Sequence, residues 1–265
     1  MRAAMCHPDF PAGRIALLAA TDLLEVELPS GERMPLEVVA AEPRTESSSA
    51  GDSTPSVVVI ADIFGPSDFY RDLCARLSAR GLRAVMPDFF FRQGPLEERT
   101  FEHALERRGR FDEAGALEDL RAAIAFARGG SARVGVLGFC MGGTFALDLA
   151  ALEPDLAVVA YYGFPVPQPT IASPPPAPLN LAAQMSGSIL ALWGDEDAAV
   201  GMENVAAFVE AMADSPAEFE HRIYPGLGHA FLAQADLDDP DAEDDPSASW
   251  RLAVDHLARQ LGADA

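Results

Sequence analysis

Positive charge is scarce in this chain: 19 Lys and Arg stand against 41 Asp and Glu, a formal net charge of -22. A field of that sign repels phosphate backbones and anionic lipid, which excludes nucleic acid and anionic membrane surfaces as partners. An anionic small molecule is not excluded, because one local arginine can override the global field. Cysteine is scarce as well. Cys6, Cys74 and Cys140 are far apart and odd in number, which argues against a disulfide framework and suits reduced thiols in a cytoplasm. There is no CxxC and no HExxH, so neither a metal nor another cofactor is expected. No apolar run reaches the length that crosses a bilayer. The first 20 residues carry His7, Pro8, Asp9, Pro11 and Arg14 and do not read as a signal peptide. A cytoplasmic location is therefore expected.

What is present is apolar sequence in short, ordered blocks. Of 265 residues 49% are hydrophobic, enough for a sizeable core. Residues 1–13 read as an irregular lead-in. Ile15–Ala41 reads as two strands around the Ser30-Gly31 turn, and Ala41–Pro55 as a polar connection. "SVVVIADIF" (Ser56–Phe64) is a continuous apolar run, the mark of a strand buried on both faces. From there strand and helix alternate. Phe69, Leu73 and Leu77 mark a helix, Leu82–Phe90 a strand, Arg92–Gly109 a long charged excursion, and Glu113–Gly130 a helix. Arg133–Phe139 is strand, Gly142–Leu152 helix and Leu156–Gly163 strand. Pro165–Met185 contains seven prolines and is expected to be a surface insertion without regular core elements. Ser188–Asp197 is strand, Met202–Met212 helix, Glu218–Gly226 an outer strand and Trp250–Leu261 a closing helix. The acidic tract Asp236–Asp245 reads as a solvated loop. The alternation predicts an α/β fold, a mostly parallel sheet with helices on both faces. With no internal repeat and no second core, one domain over 1–265 is expected.

Cys140 lies on the corner between a buried strand and a helix, in "GFCMGG" (Gly138–Gly143). Gly138-x-Cys140-x-Gly142 has the pattern of a nucleophile elbow with sulfur in place of oxygen. A side chain two residues to either side of so sharp a turn would meet neighbouring backbone. The following helix turns its free N–H groups and positive end toward a thiolate, and the Met141 N–H faces any oxyanion formed there. In a doubly wound sheet such loops form the ligand crevice. An acid and a histidine follow in the order this chemistry requires: Asp195 or Asp197 past one strand, and His229 in "YPGLGHAF" past the last. His7, His103, His221 and His256 join no second acid or cysteine at a strand end and are read as structural. Cys74 falls inside a helix and is read as core; Cys6 has no evident role.

With "ADIFGPSDFYRDLCARLSARGLRAVMPDFFFRQG" (Ala61–Gly94) and "WGDEDAAV" (Trp193–Val200), these segments resemble the dienelactone hydrolase (carboxymethylenebutenolidase) family. The resemblance runs from about residue 20 to the end. It implies the α/β-hydrolase fold and a Cys-His-Asp triad, with Cys140 as nucleophile, His229 as base and Asp197, three residues past Gly194, as acid. It further implies oxyanion donors at the main-chain N–H groups of Ile63 and Met141, and an arginine, Arg92, that holds a substrate carboxylate. Tyr161 and Tyr162 stand at a strand end near the expected pocket, a place that core packing explains equally well. Two positions depart from the family pattern. Asp62 replaces a glutamate that helps control the thiol's protonation; one methylene shorter, it is still expected to be catalytic, as an initial acceptor of the Cys140 proton beside His229. Ala233 stands where a second arginine follows the histidine. The resemblance therefore implies hydrolysis of a dienelactone-like lactone or ester through a thioester. A general carboxylesterase or thioesterase is the alternative; a non-catalytic small-molecule binder and a redox thiol enzyme stand behind it. The partner expected is a small lactone or ester, with the protein a monomer.

Overall fold

The computed structural model describes residues 19–42, 54–129, 133–167 and 175–263. The expected lead-in, most of the Ala41–Pro55 connection and part of the proline-rich insertion lie outside the described residues. Eight strands form one sheet: β1 (Asp22–Glu27), β2 (Arg33–Val39), β3 (Ser56–Ile60), β4 (Arg83–Pro87), β5 (Val134–Phe139), β6 (Leu156–Tyr161), β7 (Ser188–Gly194) and β8 (Glu218–Tyr224). Their order is β1-β2-β4-β3-β5-β6-β7-β8. β1 and β2 form an antiparallel hairpin, and β2 joins β4 antiparallel. Every pair from β4 to β8 is parallel.

Burial follows the residue pattern. β3, β5, β6 and β7 are buried along their whole length, and they are the strands written as unbroken apolar runs. Helices cover both of their faces, so neither face needs polar residues. β1 is an exposed edge. The helices are α1 (Asp68–Ala79), α2 (Phe101–Arg108), α3 (Glu113–Arg128), α4 (Met141–Leu152), α5 (Pro178–Leu181), α6 (Met202–Ala211) and α7 (Asp245–Leu261). Among the described residues no helix is long and apolar enough to cross a membrane.

Three expectations need correction. The strand expected over Ser56–Phe64 ends at Ile60. Beyond it Asp62 folds the chain back: its carboxylate accepts from Phe64 N–H at 2.8 Å, and Gly65 N–H donates to the Asp62 carbonyl at 2.9 Å. The charged excursion is half helix, because Thr100 caps α2 by accepting from His103 N–H. The described end of the proline-rich insertion, residues 175–185, is not a bare surface loop. Pro178 opens α5, where its fixed φ is an asset rather than a defect, and Ala177, Pro178, Ala182 and Met185 are buried. The acidic tract is mostly solvated, but Asp244 caps α7 by accepting from Ser247 N–H at 2.9 Å.

The strand order positions the site. From β3 the chain moves outward to β4, then returns across β3 to β5. The connections leaving β3 and β5 therefore diverge, and the carboxyl ends of these two adjacent strands open a crevice between them. The Asp62 turn and Cys140 lie there.

Candidate active site

Cys140 has φ 55° and ψ -117°, a conformation that L-residues avoid and that costs of order 1–3 kcal/mol. Its surroundings enforce it. Cys140 N–H donates to the Tyr161 carbonyl at 3.0 Å, and its carbonyl accepts from Thr144 N–H at 3.0 Å in the first turn of α4. The two glycines are required by space. A Cβ on Gly138 would lie 2.1 Å from the Gly142 carbonyl oxygen, and one on Gly142 would lie 2.3 Å from the carbonyl oxygens of both Ile60 and Ala61. The elbow is thus pressed against the end of β3.

The acid and the histidine arrive from the ends of β7 and β8. Asp197 accepts from Ala199 and Val200 N–H, each at 3.1 Å, through Oδ1. These bonds aim Oδ2 at His229 Nδ1, 2.7 Å away. Both side chains are buried, 0% and 3% exposed, so the pair is screened little by solvent. Asp195 is turned elsewhere and accepts from Gly226 N–H at 2.7 Å. Of the two carboxylates after β7, Asp197 is the one that meets the imidazole. The ring is packed between Tyr162 and Phe164, with centroids at 5.0 and 5.4 Å. Its Nε2 is buried and has no oxygen or nitrogen partner. The Cys140 sulfur is near enough to act on the ring's charge. Burial disfavours the imidazolium, but the charge and hydrogen bonding of Cys140 and Asp197 outweigh it, and the pKa of His229 is pushed up to about 10. The buried ring is thereby held toward its protonated form.

Two main-chain N–H groups expected as oxyanion donors lie at the ends of β3 and β5. Met141 opens α4, where N–H groups have no acceptor within the helix. Ile63 sits in the Asp62–Gly65 turn, whose hydrogen bonds use the N–H groups of Phe64 and Gly65 and leave that of Ile63 out. Asp62 is fully buried, and one of its oxygens is held by this turn.

Not every expected residue comes to the site. Arg92 does not offer a free guanidinium: Asp119 on α3 takes its Nη1 and Nη2, and Glu32 takes its Nε and Nη2. A cation neutralised by two carboxylates is a poor seat for a third. Tyr161 is also corrected. It is fully buried, its hydroxyl lies 3.3 Å from Ser249 Oγ on α7, and its ring stacks on Phe139. It is a core residue. Tyr162, turned by φ 39°, instead presents its ring to His229. Cys74 is buried in α1, where burial raises its thiol pKa and keeps it inert. His256 is buried against Ser188, and His221 lies in β8; neither joins the site. Arg107 was not singled out by sequence. It is one of several arginines in a charged run, and no local pattern separates it from them.

A sharp strand-to-helix turn carrying the sulfur, followed in chain order by a strand-end carboxylate and a histidine on a mostly parallel sheet, defines an α/β hydrolase. The chain belongs to the dienelactone hydrolase family, whose model matches residues 37–261. A carboxymethylenebutenolidase from Rhodococcus opacus is 35% identical over 83% of this chain and 86% of its own. Carboxymethylenebutenolidase 2 from Cupriavidus pinatubonensis is 34% identical over 71% of this chain and 77% of its own. The solved structure of a Klebsiella pneumoniae protein assigned to the dienelactone hydrolases superposes with a TM-score of 0.75 at 28% identity, covering 92% of this chain and 99% of that one.

Proposed function

We propose that this hydrolase opens a small lactone or ester through a thioester on Cys140, with His229 and Asp197 as its acid–base partners. The observation that carries the reading is the buried 2.7 Å contact between His229 Nδ1 and Asp197 Oδ2, beside a sulfur that raises the same ring's pKa. The Cys140 thiolate attacks the acyl carbon, and the carbonyl π electrons move onto oxygen. The N–H groups of Ile63 and Met141 face that oxyanion; one such donor is worth about 3 kcal/mol. Collapse expels the alkoxide or enolate, which takes the proton from His229 Nε2. In a lactone the leaving group remains tethered to the acyl chain. The neutral imidazole then takes one proton from water, whose oxygen attacks the thioester; collapse expels the thiolate beside imidazolium and yields the carboxylic acid, which loses its proton to solvent as carboxylate. Asp197 holds the ring's tautomer and stabilises its cation throughout.

A thiolate suits an activated lactone, because an enolate is a good leaving group. A dienelactone, the substrate class named in the family, fits that requirement. A broader carboxylesterase or thioesterase activity is the second reading. It is favoured by Arg92, which is occupied by Asp119 and Glu32, and by Ala233 in the position of the family's second arginine. The test is to supply a dienelactone and neutral aryl esters to the purified protein and to trap the acyl-enzyme for mass spectrometry. An acyl adduct on the peptide containing Cys140 supports the reading; turnover with no such adduct on rapid quenching overturns it. Comparable rates on neutral esters select the broader activity.

A further inference from the structure

We infer that Arg107 is a positioning residue for the reaction, holding the Ile63–Phe64 peptide so that the preceding N–H, that of Ile63, faces the oxyanion. The inference rests on the thioester reading above.

Arg107 comes from α2, in the connection between β4 and β5, and is 5% exposed. Its Nη2 donates to the Ile63 carbonyl at 2.8 Å and its Nη1 to the Gly94 carbonyl at 3.3 Å. The guanidinium lies 3.8 Å above the Phe90 ring, which fixes its plane. It therefore ties the turn after β3 to the loop after β4, both on the crevice side of the sheet. The Ile63–Phe64 peptide is then gripped from both sides: Arg107 holds its carbonyl, and Asp62 accepts from its N–H at 2.8 Å. A peptide is a rigid plane. With this plane held, and the carbonyl of the Asp62–Ile63 peptide accepting from Gly65 N–H at 2.9 Å, the φ and ψ of Ile63 between them have little freedom, and the Ile63 N–H, which takes no part in the turn's bonds, keeps one direction. Gly65 suits the turn through its φ of 72°, which L-residues rarely adopt, and not through space: a Cβ there would make only ordinary contacts with Phe90 and Arg107.

The position is costly for a cation. Burial lowers the Arg107 pKa to about 10, against the opposing attraction of Asp88 and Asp62. Among the described residues no carboxylate lies within ion-pair distance of it. Its grip on the turn is one charge-assisted bond to the Ile63 carbonyl, stronger than a neutral donor would provide.

The test compares the wild type, Cys140→Ala, Arg107→Met and Arg107→Lys in aryl-ester hydrolysis. Affinity for a trifluoromethyl ketone, which forms a tetrahedral adduct with the thiolate and so reads the oxyanion donors, is measured alongside. Arg107→Met is expected to lower kcat about 10- to 100-fold, since loss of a whole donor costs about 100- to 1000-fold. KM stays within about threefold, and ketone affinity falls in step with kcat/KM. Arg107→Lys keeps the charge and a single donor, so it falls between, about 3- to 10-fold down in kcat. Should Arg107→Met not fold, Arg107→Lys carries the test. Wild-type kcat and ketone affinity in the lysine variant, or a loss confined to KM, overturns the role of Arg107. Undiminished turnover in Cys140→Ala instead overturns the thioester reading, so the two failures are distinct.

Discussion

Asp197 and His229 lie 32 residues apart in sequence and meet at 2.7 Å, carboxylate oxygen to Nδ1, with both side chains buried. Asp197 is pre-aimed by two N–H groups of its own loop, so the imidazole meets a carboxylate that is already oriented. A carboxylate fixed in this way needs no reorganisation as charge develops on the ring.

Asp197→Asn leaves this shape but removes the charge that favours imidazolium. Its kcat on aryl esters should fall by about 10³- to 10⁴-fold. Asp195→Asn loses only the Gly226 contact and should retain kcat within about threefold. Equal losses in the two variants would return the choice of acid to the open state in which the sequence leaves it.

Cys140→Ala should eliminate turnover to a residue of about 10⁻⁴ or less of wild type, while the fold persists. The substitution removes a strained, nearly buried sulfur and adds no bulk. Steady-state kinetics with circular dichroism checks both halves.

The same variant should lower the His229 pKa. The wild-type ring titrates near 10, against 6.5 for an ordinary histidine; burial works against that rise and the Cys140 sulfur heads the influences that produce it. Nitrogen-detected NMR titration should find the ring protonated at pH 8 in the wild type and titrating at lower pH in Cys140→Ala. Because the folded-state pKa lies above the unfolded one, the stabilisation from this ring is fully present below about pH 6.5. It is lost as pH rises toward 10. An unchanged ring pKa in the variant would mean that sulfur and imidazole do not interact.

Gly142→Ala should destabilise the protein by about 3 kcal/mol or more, since the added methyl meets backbone oxygens that cannot swing away. The predicted contacts are 2.3 Å to the Ile60 and Ala61 carbonyls. At roughly 2–4 °C per kcal/mol, thermal denaturation should show a clear drop; a wild-type melting temperature would show the elbow to be looser than its geometry implies.

Arg92→Met should leave kcat on neutral aryl esters within about twofold and lower the melting temperature by a few degrees. Its loss strands the Asp119 carboxylate, 6% exposed, without its cation. A large rise in KM confined to anionic substrates would restore Arg92 to substrate binding.

Much of this protein is written locally. Unbroken apolar runs mark β3, β5, β6 and β7, because strands covered on both faces need no polar alternation. Gly138 and Gly142 announce the elbow because backbone sterics at a tight turn admit only hydrogen there. The chain order Cys140, Asp197, His229 is legible because strand ends on one side of a parallel sheet recur at regular intervals. Tertiary structure alone decided the rest. Residue type and chain order leave Asp195 and Asp197 alike, with only the family resemblance pointing to Asp197; in the fold the Ala199 and Val200 N–H groups turn that carboxylate toward His229. Arg92 finds partners 27 and 60 residues away, and Arg107 reaches a carbonyl 44 residues back. An arginine's stem spans several ångströms and fits many positions, so its partner is fixed by the packing of distant loops and not by its neighbours in the chain. Glycine and apolar periodicity act through backbone geometry within a few residues and can be read in one dimension; long charged side chains become specific only when the fold has closed around them.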